Sequence, residues 1–369
     1  MKKLKFAVLG AGNGGQSISA YLTLKGYDVK LYDKYDEVVA PLIEKGNIEL
    51  RGVSLNGNAV ISVITTDISK AVEDTDIILV TVPSNAHSFI ANELAPVLKD
   101  GQVIVLCPGS TGGALEFKKI LNYKNCSADY KLAETTSLFY ACRAKEGVAN
   151  ISGVKNILPI ASLPSSDVDY IINLLDDVYP QLVKEENVIA SSLNNLNAIL
   201  HPIAVLLSTS WIEATGGNFK FYYDSITPSV GKLIERMDAE RMSIGKALNV
   251  HVKSAADSLK TYYSATGDSI YDMVRTVKAY EPISAPPSLN SRLLFEDIPM
   301  GLVPMVELAK LVSVNVPTMN LIIDLASQVL EKDFREEGRS LERLGISNMN
   351  IDELNKYVSN NFECTQGGK

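Results

Sequence analysis

Cysteine, histidine and tryptophan are scarce in this sequence, whose 369 residues include four, three and one of them. The four cysteines, Cys107, Cys126, Cys142 and Cys364, form no C-x-x-C pair and have no histidine at metal-ligand spacing. This scarcity excludes a disulfide-stapled scaffold and predicts no metal site. Scattered cysteines in a chain of this length are typical of free thiols in a reducing cytoplasm.

Long apolar runs and clusters of positive charge are missing as well. Apolar runs such as 77–82 and 203–207 are far shorter than the ~20 residues of a membrane span. The N-terminal MKKLKFAVLGAG holds an apolar stretch of only about five residues, against the ~7–15 residues of a signal-peptide core. The net charge is −8 and no run of Lys or Arg stands out. We therefore expect a cytoplasmic protein that binds neither nucleic acid nor a membrane.

The first half of the chain opens with the pattern of a strand, a glycine turn and a helix. An apolar run over 4–9 predicts a buried parallel strand. The G-x-G-x-x-G spacing that follows permits a tight turn, close approach of a pyrophosphate and packing of the helix on the strand. The helix N-terminus adds N–H groups and partial positive charge for phosphates. We therefore predict a Rossmann dinucleotide site that includes Gly10, Gly12, Asn13, Gly14 and Gly15.

An acidic residue closes the second predicted strand, 28–33. Asp33 lies 18 residues after Gly15, close to the ~20-residue offset at which an acid binds the adenosine ribose hydroxyls. A carboxylate there favours NAD, because it repels the 2′-phosphate of NADP. The neighbouring Lys34 leaves NADP possible.

Strands and turns alternate up to about residue 160. A β-hairpin is predicted from 48–50 to 59–63, around an Asn-Gly turn, and buried strands are predicted over 76–82, 102–106 and 131–135. Ligands bind beyond the carboxyl ends of parallel strands. We therefore expect two residues at those ends, Pro83 and Thr135, to contact the cofactor.

Helical spacing takes over in the second half. Asn194, Asn197 and His201 are spaced i, i+3, i+7 in an apolar helical stretch over 187–208, which places them on one face. Pro202 cannot donate to a carbonyl four residues back, so the helix should bend or open there. One interpretation is a buried histidine satisfied by a neighbouring acid or carbonyl. The other is a general acid/base lining the cleft between two domains.

A second polar group of residues lies about ninety residues further on. Arg292 has the guanidinium fork that binds carboxylates, and Asp297 is an acid able to hold a histidine ring in one tautomer. Pro299 fits the first turn of a helix through 312. The plainer alternative is a helix-capping acid with a surface arginine. Overall we predict an α/β fold class with a Rossmann domain over 1–160 and an all-α domain over 185–360.

Together these segments resemble the opine dehydrogenases, the octopine/nopaline dehydrogenase family. The resemblance rests on the glycine turn 10–15, the segment 134–143, the Asn197 to His201-Pro202 helix and the segment 292–304. It covers nearly the whole chain and implies a Rossmann domain followed by an all-α substrate domain, with the active site in the cleft. It also implies reductive condensation of an amino acid with a 2-oxo acid such as pyruvate, with NADH or NADPH as reductant.

The resemblance also implies roles for individual residues. His201 would be the catalytic acid/base and Asp297 its partner, while Arg292 would lie near the cofactor or a substrate carboxylate. Asn197 is a further candidate for substrate binding. A homodimer is an expectation of the family. The resemblance leaves the substrate pair open, and Trp211, Tyr222 and Tyr223 are candidate lining residues.

Two other functions share the predicted plan of domains. Ketopantoate reductases and glycerol-3-phosphate dehydrogenases use a lysine near the start of their helical domain, whereas this chain has no lysine between Lys184 and Lys220. A non-catalytic NAD sensor would keep the glycines, but it would not need His201 and Asp297 in contact.

Overall fold

The computed structural model describes residues 3–359, so Cys364 lies outside the described residues. The chain divides into two compact units. The N-terminal unit comprises the residues up to Gly109, Gly113–Val188 and the described residues from Lys356 on. The helical unit comprises Ser110–Gly112 and Ile189–Asn355.

The main sheet of the N-terminal unit has eight strands in the order β12-β11-β8-β7-β6-β1-β2-β5. From β5 to β8 all neighbours are parallel, and β1 lies between β2 and β6, as in the Rossmann fold. The central strands β1, β6 and β7 are almost wholly apolar and buried, as expected of a sheet covered on both faces. The strands are β1 (Lys5–Leu9), β2 (Asp28–Tyr32), β3 (Ile48–Gly52), β4 (Gly57–Ala59), β5 (Val63–Thr65), β6 (Ile77–Val80), β7 (Val103–Leu106), β8 (Lys131–Thr135), β9 (Tyr140–Lys145), β10 (Val148–Val154), β11 (Leu158–Ser162) and β12 (Leu182–Lys184).

A second sheet has the order β4-β3-β10-β9. It contains the predicted hairpin, with Ile48 opposite Ala59. The prediction that the second hairpin strand continues to residue 63 is wrong. The chain turns away because the N–H and hydroxyl of Ser62 both donate to the carbonyl of Val29, at 3.1 and 2.6 Å. Residues 63–65 form β5 on the main sheet instead.

The helices confirm the predicted fold class, an α/β half followed by an all-α half. They are α1 (Asn13–Leu24), α2 (Asp36–Lys45), α3 (Ile68–Val72), α4 (His87–Leu94), α5 (Gly113–Tyr123), α6 (Val168–Leu175), α7 (Val188–Leu193), α8 (Asn197–Leu206), α9 (Thr209–Thr215), α10 (Phe221–Ser225), α11 (Pro228–Ala247), α12 (Ala255–Tyr263), α13 (Ile270–Thr276), α14 (Arg292–Phe295), α15 (Val303–Leu311), α16 (Pro317–Leu330), α17 (Phe334–Glu337), α18 (Leu341–Leu344) and α19 (Ile351–Ser359).

Helix α8 is the central helix of the helical unit. It packs against α10, α11, α14 and α16, and every residue from Ala198 to Leu206 is buried. The stretch Val188–Leu206 is long and apolar enough to cross a membrane by composition, but 83% of it is buried inside the protein, as in a core helix.

The sequence predicted one helix where the structure has two, α7 and α8. The chain leaves the helix at Asn194, and the side chain of Asn195 accepts the N–H of Asn197 at 3.1 Å to start the next one. Asn194 instead accepts the N–H of Lys253 at 3.0 Å. The prediction that Asn194 shares a helix face with His201 is therefore wrong, because short amide side chains compete for backbone groups and end helices.

Candidate active site

A histidine and an aspartate meet inside the helical unit. The Nδ1 atom of His201 lies 2.7 Å from Oδ2 of Asp297, and the two side chains are only 6% and 4% exposed. They are 96 positions apart in the chain. Because a carboxylate only accepts hydrogen bonds, the pair fixes the proton of the neutral ring on Nδ1. The hydrogen bond that the sequence predicted between these two side chains is present.

Asp297 is placed by a turn that the sequence did not predict. It directly precedes a π-helical turn, Ile298–Leu302, and its carbonyl accepts the N–H of Leu302 at 3.0 Å. The ordinary helix predicted from Pro299 to residue 312 is therefore wrong at its start, since α15 begins only at Val303. Such π-helical turns occur often at functional sites.

A three-residue segment of the helical unit ties this turn in place. Pro304 has no N–H, so the carbonyl of Met300 lacks its usual helical donor. The Ser110 hydroxyl and the Thr111 N–H donate to that carbonyl instead, at 2.9 and 3.1 Å. The turn that carries Asp297 is thus held by hydrogen bonds as well as by packing.

Glycine 301 allows the π-helical turn to lie directly on α8. A Cβ atom added to Gly301 would come within 2.6 Å of the Cβ of Ala198, closer than real Cβ atoms approach. Ala198 is three residues before His201 on α8. The small residues at this crossing therefore set the separation between the elements that carry His201 and Asp297.

A tyrosine occupies the other ring nitrogen of the histidine. The hydroxyl of Tyr222 lies 2.8 Å from Nε2 of His201. Burial raises the pKa of the Tyr222 phenol well above its usual value. The charges of Tyr263 and Asp297 add to this rise, and the positive charge of Arg292 opposes it. Sequence reasoning offered Tyr222 only as a lining residue, because nothing in the pattern of the chain connects it with His201.

The other predicted lining residues have different surroundings. The hydroxyl of Tyr223 donates to the carbonyl of Arg275 at 2.8 Å. Trp211 is 43% exposed and stacks on Phe219, with ring centroids 4.0 Å apart.

The two predicted substrate residues lie on elements adjoining His201. Asn197 is the first residue of α8, half-buried, one helical turn before His201. The Arg292 side chain is 63% exposed, and Nη1 is 3.7 Å from a carboxylate oxygen of Glu296. An exposed pair of this length is weak. The guanidinium therefore retains donors for a carboxylate ligand.

The glycine turn in the N-terminal unit fits a pyrophosphate. Gly12 caps α1 without a side chain, no side-chain hydrogen bond caps this helix, and no acid lies in its first turn. A Cβ atom added to Gly12 would meet no heavy atom within 4 Å, so the backbone there is open. Gly10 has a φ of +110°, a conformation that L side chains rarely adopt. At Gly15 a Cβ atom would lie 1.6 Å from the carbonyl oxygen of Gly10.

The remaining predicted cofactor residues surround this turn. Asp33 is half-buried and accepts the N–H of Ala11 at 2.7 Å, so it braces the glycine turn. The side chain of Asn13 accepts the N–H of Ala144 at 2.7 Å, and its carbonyl accepts the hydroxyl of Ser17 at 2.7 Å. Gly14 faces Leu138, whose side chain would lie 3.0 Å from an added Cβ.

Two predicted residues at strand ends differ in exposure. Pro83 is exposed and opens the turn after β6. Thr135 is fully buried, and its hydroxyl donates to the carbonyls of Ser137 and Leu106 at 2.7 and 3.3 Å. The Thr135 hydroxyl therefore supports the edge of the sheet, and a contact of this residue with the cofactor stays a prediction.

Comparison with known protein families matches the two halves of the chain to two different family models. The family model described as NAD/NADP octopine/nopaline dehydrogenase, alpha-helical domain, matches residues 184–330. The family model of the N-terminus of NAD-dependent glycerol-3-phosphate dehydrogenase matches residues 5–115. The second match covers only the glycine-turn half, which many dehydrogenases share. The fold and the two matches define an oxidoreductase with a Rossmann unit and a helical unit.

The particular family follows from a full-length relative. The chain is 40% identical over 345 residues to an opine dehydrogenase of Arthrobacter sp. (strain 1C), covering 93% of this chain and 96% of that protein. The chain belongs to the opine dehydrogenase family, whose members are NAD(P)-dependent oxidoreductases acting on CH–NH bonds.

Solved structures agree with this fold. An octopine dehydrogenase in complex with NADH and agmatine aligns with a TM-score of 0.81 at 21% identity, covering 95% of this chain and 98% of that chain. A complex of octopine dehydrogenase with NADH and pyruvate aligns with a TM-score of 0.77 at 20% identity, with the same coverage. A ketopantoate reductase from Ralstonia eutropha aligns less well, with a TM-score of 0.63 at 17% identity over 89% of this chain and 99% of that one.

Proposed function

We propose that the protein reductively condenses the α-amino group of an amino acid with the carbonyl of a 2-oxo acid, with NADH as the reductant. The product is an N-(carboxyalkyl) amino acid, and the reaction is reversible. The observation that carries the proposal is the buried His201–Asp297 pair in a chain of the opine dehydrogenase family. Pyruvate is our first choice of oxo acid, because octopine dehydrogenase has been solved with it.

His201 supplies the acid/base chemistry that this reaction needs. The substrate amine must lose a proton before it attacks the carbonyl, and the resulting carbinolamine hydroxyl must gain one before it leaves as water. One histidine can perform both transfers, because its charge changes near neutral pH. Asp297 holds the ring orientation and stabilises the imidazolium between the two transfers. When bound, NADH supplies the hydride that reduces the resulting iminium carbon.

Two further side chains fit the substrates. Both substrates carry a carboxylate, and Arg292 offers an exposed guanidinium on α14, which packs against the helix that carries His201. Asn197 offers a carboxamide one turn from His201. We assign Arg292 to a substrate carboxylate and Asn197 to a neutral polar group of the substrate.

The residues of the glycine turn would hold the cofactor. The N–H groups of Gly12, Asn13 and Gly14 would meet the pyrophosphate, with Gly10 and Gly15 shaping the turn and Pro83 at its edge. Asp33 would accept the ribose hydroxyls, which favours NADH over NADPH. A comparison of kcat/KM for the two cofactors tests this preference. We expect at least a tenfold advantage for NADH, and equal values would contradict the role of Asp33.

The decisive assay follows NADH oxidation by absorbance with pyruvate and a panel of amino acids, omitting each component in turn. Oxidation that requires both an amino acid and an oxo acid supports the proposal. Oxidation by an oxo acid alone would support the alternative, a simple carbonyl reductase like ketopantoate reductase. Light scattering of the purified protein tests the accompanying proposal of a homodimer, and fractionation of cells tests a cytoplasmic location.

A further inference from the structure

Both ring nitrogens of His201 are occupied. Asp297 accepts from Nδ1 at 2.7 Å, and the hydroxyl of Tyr222 lies 2.8 Å from Nε2. With the proton of the neutral ring on Nδ1, Nε2 accepts from the Tyr222 hydroxyl. A general acid/base must reach the proton it moves directly or through one bridging group. Nε2, the nitrogen expected to exchange a proton with the substrate, is therefore already hydrogen-bonded to the phenol of Tyr222.

The Tyr222 ring is held firmly in this position. It stacks on Tyr280 with centroids 3.9 Å apart and an interplanar angle of 11°, and Phe221 packs against it edge-on at 5.0 Å. The residue is only 8% exposed. The backbone is fixed as well, since the N–H of Phe221 donates to the carbonyl of Ile283 at 2.7 Å. A substrate that displaced Tyr222 would have to break the ring stack.

We propose that Tyr222 is a catalytic residue whose hydroxyl relays protons between Nε2 of His201 and the substrate. This inference rests on the reductive condensation proposed above. In the first transfer the substrate ammonium gives a proton to the Tyr222 oxygen while the phenol proton passes to Nε2. The products are a neutral amine, a neutral phenol and an imidazolium.

The neutral amine then attacks the carbonyl carbon, and one of its protons moves to the carbonyl oxygen, which gives a neutral carbinolamine. Dehydration of this carbinolamine runs the relay in reverse. The Nε2 proton returns to the Tyr222 oxygen while the phenol proton passes to the carbinolamine hydroxyl. The C–O bond breaks, water leaves, and the nitrogen lone pair forms the C=N bond of the iminium. His201 and Tyr222 end in their starting states, so the protein gains and loses no net proton.

The charges around the phenol suit a relay. Burial raises the pKa of Tyr222, so the hydroxyl stays neutral at working pH and can donate and accept at once. The negative charge of Asp297 raises the pKa of this phenol, the positive charge of Arg292 lowers it, and the ring of Tyr280 stacks on it. Arg292 would bring a substrate carboxylate, and with it the reacting carbon, next to the same hydroxyl.

The test replaces Tyr222 by phenylalanine, which keeps the stacked ring and removes only the hydroxyl. We expect kcat to fall by about 100-fold, with the KM of both substrates and the Kd of NADH within about threefold of wild type. The matched control is Tyr271→Phe on α13, a tyrosine of the same unit whose ring lies 3.8 Å from the guanidinium of Arg275. It should keep kcat within about twofold, as expected for a group outside the proton path.

The outcomes separate this inference from the proposed function. A wild-type protein that turns over no substrate pair speaks against the proposed function. An active wild type and a Tyr222→Phe variant with an equal or higher kcat would overturn the relay. The phenol would then only block Nε2 until the substrate displaces it. If Tyr222→Phe loses its folded structure, 3-fluorotyrosine at position 222 replaces it. A relay predicts a kcat change of about twofold or more with the more acidic phenol, and an unchanged kcat overturns it.

Discussion

The two candidate sites of this protein are built in different ways. In the N-terminal unit, backbone groups of one contiguous segment, from Gly10 to Asp33, form the nucleotide turn. In the helical unit, three side chains from distant segments, His201, Tyr222 and Asp297, form the acid/base site. A site made of backbone depends on the absence of side chains, whereas a site made of side chains depends on the packing that brings them together.

The largest effect is expected from removing the charge that orients His201. Asp297→Asn keeps the size of the side chain but lets the amide donate to Nδ1, which favours the wrong tautomer. We expect kcat to fall by about 10³-fold to 10⁴-fold, with the Kd of NADH unchanged. Kinetics and fluorescence titration on one preparation give both values. A loss of NADH binding that equals the loss of turnover would show that the two sites are not independent.

Two glycines of the nucleotide turn should respond differently to the same change. In Gly12→Ala the new Cβ enters open space, so the fold should survive while NADH binds at least about tenfold more weakly. In Gly15→Ala the new Cβ meets the carbonyl of Gly10, which should cost about 3 kcal/mol or more. Thermal melting with NADH titration measures both. If Gly12→Ala binds NADH like wild type, the turn does not carry the phosphates.

Much of the fold and of the two candidate sites could be predicted from the sequence. The glycine spacing, Asp33 and the parallel strands are local features, so periodicity and spacing indicated them directly. The His201–Asp297 contact followed from residue types and the family resemblance. The π-helical turn and the Tyr222 contact could not be predicted, because each depends on packing between segments far apart in the chain. The break before α8 had a local signal that the apolar helical pattern concealed, since the amide side chains of Asn194 and Asn195 accept backbone N–H groups. The buried orientation of the Thr135 hydroxyl was not predictable either, because a position at a strand end does not determine which way a side chain turns.

A smaller effect is expected at the crossing of α8 and the π-helical turn. Gly301→Ala pushes the turn away from Ala198 and should lengthen the His201–Asp297 hydrogen bond. A displacement near 1 Å can cost about 10²-fold, so we expect kcat to fall by about 10-fold to 100-fold. The double variant Gly301→Ala/Ala198→Gly restores the space and should regain most of the activity. Failure of this rescue would mean that the crossing does not set the geometry of the pair.

The smallest effect is a loss of folding stability at high pH, which should involve residues of both units. Burial raises the pKa of Tyr140 and Tyr179 in the N-terminal unit and of Tyr280 in the helical unit. A raised folded-state pKa gives stability that is complete below pH ~10 and is lost as pH rises further. The free energy of unfolding should begin to fall above pH ~8.5, because burial also raises the pKa of the Cys107 and Cys142 thiols, and should fall more steeply above pH ~10, by about 1.4 kcal/mol per pH unit for each tyrosine. Urea titrations across this range check it, and a stability that rises above pH 10 would refute it.

The central claim is that the acid/base site works through His201 and is separable from cofactor binding. His201→Ala tests it most directly, with NADH affinity and turnover of pyruvate and an amino acid measured on the same sample. We predict a loss of turnover of about 10⁴-fold with an NADH Kd within about threefold of wild type. Turnover close to that of wild type would contradict the account.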